Sequence, residues 1–128
     1  MKRFDKINKV FKKEFPGRKI SNIFYAPGRV NLIGEHTDYN GLPVLPCAIS
    51  RNIMLAVSPR EDNKIIVKSA DDYEPVEFEI SDNIKKSESG SWGNYIKAAV
   101  QYLSRRETKF YGFNGVVSGN IPPAAGLS

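Results

Sequence analysis

The sequence predicts an α+β fold for a chain of 128 residues. Three observations predict it. Apolar residues recur at helical spacing near the start and again from Trp92 onward; short runs rich in β-branched and aromatic residues lie between and after these stretches; and hydrophilic turns separate the runs. The length suits one core, since single domains commonly hold about 100–150 residues. No repeat, low-complexity tract or linker divides it.

The elements follow in order. Residues 4–15 place Phe4, Ile7, Val10, Phe11 and Phe15 on one helical stripe, and Pro16 with Gly17 supplies the stop. SNIFYA, residues 21–26, reads as a strand. PGRVNLIGEHTDYNGLPVLPCAI, residues 27–49, mixes apolar pairs with Gly, Pro and Asn turns, a pattern of strand and loop with polar groups exposed. Strands are predicted at Asn52 to Ser58, Lys64 to Ser69 and Pro75 to Ile80; in the last, Val76, Phe78 and Ile80 alternate with Glu77 and Glu79. After the polar stretch SDNIKKSESGS, a second helix puts Trp92, Tyr95, Ile96, Ala99, Val100 and Leu103 on one face and closes near Arg106. A final strand runs from Phe110 to Ser118 and delivers the chain into GNIPPAAGLS, residues 119–128.

Composition narrows the class. Hydrophobic residues make up 41% and charged residues 26%, near the soluble average, and no apolar run approaches the ~18 residues of a membrane span, so no membrane partner is expected. The opening MKRFDKINKV lacks the apolar block of a secretory leader. Cys47 is the only cysteine, which excludes an intramolecular disulfide and an ordinary structural zinc site. A cytoplasmic location is expected. The net charge of +5 and pI near 9.4 suit an anionic partner, and charge alone does not choose between nucleic acid and a nucleoside triphosphate. Lys2, Arg3, Lys6, Lys9, Lys12 and Lys13 all sit on the first segment, as the solvated face of one helix would carry them, so no nucleic-acid partner is expected.

Chemistry concentrates between Gly28 and Gly41. Arg29, Asn31, Glu35, His36, Thr37, Asp38 and Tyr39 crowd a short segment punctuated by Gly34. Carboxylates such as Glu35 and Asp38 can each accept hydrogen bonds from two hydroxyls, and the His36 imidazole can donate or accept, which is the chemistry of polyol recognition. The same residue types could ligate a metal, but they are adjacent in sequence and no second cluster appears, so no metal site is expected. A plain reading also exists, in which Asp38, Asn40 and Gly41 only form a turn and Glu35 is a surface charge.

The string APGRVNLIGEHTDYNG, from Ala26 to Gly41, resembles the signature of galactokinases, within the superfamily shared with homoserine, mevalonate and phosphomevalonate kinases. Mevalonate-type members share its Pro, Gly and Gly-Glu-His skeleton but not the run from Thr37 to Asn40. The resemblance implies a mixed, largely antiparallel sheet backed by helices, as in the superfamily's N-terminal domain. It further implies that Glu35, His36, Thr37 and Asp38 line a sugar site and that Arg29 sits beside the transferred phosphoryl group. A guanidinium stays cationic and can neutralise charge developing on phosphoryl oxygens.

GNIPPAAGLS resembles the start of the same family's phosphate-binding loop, in which small residues lay backbone N–H groups against nucleotide phosphates ahead of a helix. Ala124, Ala125, Gly126, Leu127 and Ser128 are the nucleotide-binding candidates this implies. Many relatives carry a further glycine where Ala124 and Ala125 stand. By the same resemblance, the magnesium-coordinating serine, a carboxylate ligand and the acid facing the sugar hydroxyl belong after Ser128, together with the C-terminal domain. Residues 1–128 are accordingly expected to be the N-terminal part of an ATP- and Mg²⁺-dependent galactokinase, inactive by themselves and prone to self-association through apolar surface. Ser69 and Trp92, with Tyr95, resemble residues near the nucleotide pocket, although Trp92 and Tyr95 also fit the apolar stripe of the second helix. Cys47 reads as a small core residue. The alternatives are a galactose sensor without catalysis, a kinase for N-acetylgalactosamine or arabinose, and an inert product.

Overall fold

The computed structural model describes residues 2–34, 37–106 and 110–123. Within them lie helices α1 (Lys2–Glu14) and α2 (Gly93–Ser104), and strands β1 (Asn22–Ile33), β2 (Leu45–Pro59), β3 (Lys64–Ser69), β4 (Val76–Glu79) and β5 (Phe113–Gly119). The strands form one mixed sheet in the order β1-β2-β5-β3-β4. Neighbours are antiparallel except β3 and β5, which run parallel with Ile65 opposite Phe113 and Ser69 opposite Val117. The α+β expectation holds, and so does the mixed, mainly antiparallel pairing.

Period-two alternation explains why the sheet needs a helix on each face. Met54 and Ala56 of β2 and Val116 of β5, with Ala70 just beyond β3, turn toward α1 and pack on Ile7, Phe11 and Phe15. Ile65 and Val67 of β3, with the half-buried Leu55, Phe113 and Val117, turn the other way and pack around Val100 and Ile96 of α2. Phe11 and Phe15 also meet at 5.1 Å between ring centroids, tilted by 58°, one turn apart on the helix stripe. α1 ends where the sequence places its stop: Phe15 N–H still bonds to Phe11 C=O, and Gly17 takes φ +78°.

Two departures from the sequence reading are informative. β1 does not stop at Ala26 but continues to Ile33, through Pro27 and Gly28. The reason is positional, because β1 is an edge strand, where a missing N–H costs no ladder bond, and the register shifts between Pro27 and Arg29 as a bulge absorbs the irregularity. β2 likewise starts at Leu45 rather than Asn52, since it pairs with the extended β1. Cys47 lies on this added stretch opposite Val30 and is exposed, which corrects the core reading.

The turn from β2 to β3 is held by charge. Arg60 donates to both oxygens of Asp62 at 2.7 and 2.6 Å and to Oδ1 of buried Asn114 at 2.9 Å, which ties the turn to β5. The Arg60 hydrogen bonds hold the Asp62 carboxyl down at about 2, and Lys64 lowers Glu77 across the β3–β4 pair. A carboxylate whose folded pKa is depressed stabilises the fold above its unfolded value, near 4 for these residue types, and that contribution is lost as pH falls through the folded value. The thermal midpoint is therefore expected to fall as pH drops from about 4.5 to 2, and less steeply in Asp62→Asn. Melting curves across that range check it; equal acid slopes for both proteins would remove Asp62 from the account.

Candidate functional site

The Gly34–Gly41 segment is folded by its own backbone and one hydroxyl. Thr37 Oγ1 donates to Gly34 C=O at 2.9 Å, while Thr37 C=O accepts from the N–H groups of Asn40 and Leu42 at 3.1 Å each. Residues Asp38–Asn40 form a single 3₁₀ turn on that hub. Gly34, at φ +92°, reverses the chain leaving β1, and an added Cβ there would stand 2.8 Å from Pro43 O. Thr37, read as a sugar contact, thus has its hydroxyl proton engaged in shaping the loop. Glu35 and His36 lie outside the described residues, as does the side chain of Asp38.

Arg29 follows the β1 bulge, pairs with Ala48 and is exposed. Asn31, two residues on, keeps a buried Oδ1 that has no partner among the described residues, an acceptor open to a donor from outside that set. Gly28, between them and Pro27, is buried because Ile49 and Ile121 close over it; a Cβ would meet the Cδ1 atoms of both at 3.1 Å. Ile121 belongs to the segment leaving β5. The bulge that carries Arg29 therefore touches the beginning of GNIPPAAGLS, two motifs far apart in sequence.

That segment is described only as far as Pro123; Ala124, Ala125, Gly126, Leu127 and Ser128 lie outside the described residues. Its start is pinned from two sides. On the β2 side, Asn52 N–H donates to Asn120 Oδ1 at 2.7 Å, Asn120 N–H returns to Asn52 C=O at 3.2 Å, and Arg51 reaches Asn120 C=O at 2.7 Å. On the β3 side, Asp71 accepts from Gly119 N–H at 2.8 Å and from Ser118 Oγ at 3.2 Å.

Because β3 and β5 run parallel, their C-terminal ends emerge together and frame a cleft of about 340 Å³ lined by Ser69, Asp71, Tyr73, Trp92, Gly119 and Pro123. Ser69 and Trp92, both nucleotide candidates from the sequence, are thus brought to one cleft beside the β5 exit. Trp92 is among the lining residues, and its Nε1–H bonds to Glu74 C=O at 2.9 Å. Tyr95 does not pack in the core: it is 83% exposed, on the rim of an apolar groove formed with Phe24, Ala26, Ile53 and Leu55. Asp71, Asn52 and Asn120 were not found from sequence; an Asp pair after a strand reads as a turn, and Asp72 does take a turn conformation at φ +61°.

Among the described residues, no group of three His, Cys, Asp or Glu side chains could hold a metal ion. No helix among them is long and apolar enough to cross a membrane.

Residues 9–59 match the galactokinase galactose-binding signature. The chain is similar to a galactokinase from Lactococcus lactis solved in complex with galactose, at 33% identity and a TM-score of 0.80, over 94% of this chain and 32% of that one. It also shares its fold with a mevalonate kinase from Methanococcus jannaschii, at 23% identity and a TM-score of 0.66, over 88% of this chain and 36% of that one. The chain spans about a third of the length of these kinases. The likeness to galactokinases read from APGRVNLIGEHTDYNG stands, with the fold of the wider kinase superfamily.

Proposed function

We propose that the galactokinase-like chain is the N-terminal part of an ATP-dependent galactokinase, which transfers the terminal phosphoryl group of ATP to galactose to give galactose 1-phosphate. The observation that carries this reading is the contact of Gly28 with Ile121, which sets the sugar signature against the small-residue segment after β5. Phosphoryl transfer needs that adjacency, because acceptor hydroxyl and donor phosphate have to meet in line.

In this reading Glu35, His36 and Asp38 hold the sugar hydroxyls, and Thr37 shapes the loop that presents them. Arg29, a permanent cation at the bulge, offsets charge gathering on the transferred group. Backbone N–H groups of the segment ending in Ala124, Ala125, Gly126, Leu127 and Ser128 cradle the phosphates, and Ser69 and Trp92 border the nucleoside. Magnesium, when bound, would supply charge neutralisation at the phosphates; among the described residues no group of three His, Cys, Asp or Glu could hold it. A cytoplasmic location belongs to the same proposal.

The test is an assay of the protein encoded by the gene read past codon 128, with ATP and galactose. Galactose-dependent ADP release supports the reading. Galactose binding without ADP release would replace it with the sensor reading, and preference for N-acetylgalactosamine or arabinose would move the substrate.

The groove of Phe24, Ile53, Leu55 and Tyr95 leaves an apolar surface of the sheet open. Residues 1–128 alone are therefore expected to self-associate, with sedimentation coefficients that rise with concentration. A monomer at every concentration would count against it, and Tyr95→Glu should weaken the association.

A further inference from the structure

The three bonds received by Asp71 have a common result. Its carboxylate takes the Gly119 N–H, the Ser118 hydroxyl and, at 3.0 Å, the ammonium of Lys6 on α1. Partial burial works against the charged form, yet the bonds from Gly119, Lys6 and Ser118 prevail and leave the carboxyl below its ordinary range. The carboxylate is 27% exposed, so its bonds face limited competition from water. On the other side of the β5 exit, Arg3 of α1 donates to Asn52 C=O at 3.2 Å and to Asn52 Oδ1, and Asn52 in turn holds Asn120. Both clasps on residues 118–120 are thus backed by basic residues one turn apart on α1, which is itself fixed to the sheet by Ile7 and Phe11.

Resting on the kinase reading above, we infer that Asp71 is a positioning residue for the nucleotide-phosphate loop, with α1 as its brace through Lys6. Asp71 touches backbone at the root of the loop, so it acts on nucleotide through Gly119 rather than by contact with the reacting atoms. The bonds fix the backbone where the loop begins, and backbone donors to phosphate work only when preorganised. The sugar loop hangs instead from Gly34 and Thr37, at the far end of β1, and among the described residues none of its hydrogen bonds reaches Asp71.

The expected signature is therefore a split between the two substrates. In the protein read past codon 128, Asp71→Ala should raise KM for ATP roughly tenfold, as loss of charge-assisted bonds does, and leave KM for galactose within about twofold. Asp71→Asn keeps an acceptor for Gly119 and loses the charge, so it should fall between wild type and alanine. Lys6→Met, at a half-exposed side chain, keeps the fold if Asp71→Ala does not, and should raise KM for ATP alone by a smaller factor. Gly119 amide exchange should speed up in each variant in step with KM for ATP.

Equal changes in both KM values, or an unchanged KM for ATP in a folded Asp71→Asn and Lys6→Met, would overturn the inference while leaving the kinase reading intact. A wild-type protein that releases no ADP from ATP and galactose would remove the kinase reading, and the inference with it.

Discussion

Asp38→Ala, in the protein read past codon 128, is expected to abolish galactose phosphorylation, lowering kcat/KM by about a thousandfold or more. Asp38 opens the 3₁₀ turn whose carbonyl hub is Thr37, so its backbone position is fixed by two bonds that the substitution leaves alone. The loop should keep its shape and lose only a carboxylate. A site that hydrogen-bonds a substrate hydroxyl discriminates strongly because an abandoned partner stays desolvated, at about 1–3 kcal/mol per group, and a misplaced acceptor hydroxyl also loses its line of attack. Steady-state kinetics with galactose varied at saturating ATP read the effect. An unchanged kcat/KM would remove Asp38 from the sugar site, and a matching loss of thermal stability would make its role structural.

Gly34→Ala is expected to act on the same loop by the opposite route. Here the backbone fails and the polar groups remain. At φ +92° an L side chain is strained, and the new Cβ would face Pro43 O at 2.8 Å and Val44 Cγ1 at 2.9 Å. Positive-φ strain of this kind costs about 1–3 kcal/mol. A loop whose folded form is that much less populated binds about 10- to 100-fold more weakly, since about 1.4 kcal/mol corresponds to a factor of ten. Titration with galactose should show this loss while the global melting temperature moves little, because Gly34 lies outside both clusters of buried apolar residues. Unchanged affinity would mean that the loop geometry is not what selects the sugar.

The helices and inner strands were legible because local pattern and final environment agree. Ile7, Phe11 and Phe15 declare a stripe and are buried on it, and Val76 and Phe78 alternate as they do in β4. The stretch from Pro27 to Ile49 was read less well because its punctuation is misleading: Pro27 and Gly28 mark turns in isolation, whereas an edge strand with a bulge accommodates both. Tyr95 shows the converse, a periodic apolar residue that no part of the described chain covers. Of the site, residue types and order were readable in the signature. The meeting of Gly28 with Ile121 and the Asp71 clasp were not: the first depends on β2 joining β1 to β5, and the second on the parallel pairing of β3 with β5, which brings residues 48 apart into contact.

That pairing also fixes the order of events during synthesis. β5 is the last in sequence of the five described strands and lies in the middle of their sheet, between β2 and β3. Until residues 113–119 leave the ribosome, β1 with β2 and β3 with β4 are two hairpins, each with an unpaired edge where the missing strand belongs. Unpaired edges invite pairing between chains, and long-range strand insertion is slow compared with hairpin closure. A translational pause before Phe113 should therefore be the point of greatest aggregation risk among these strands, and the strand that relieves it also carries Ile121 and Pro123 to the cleft.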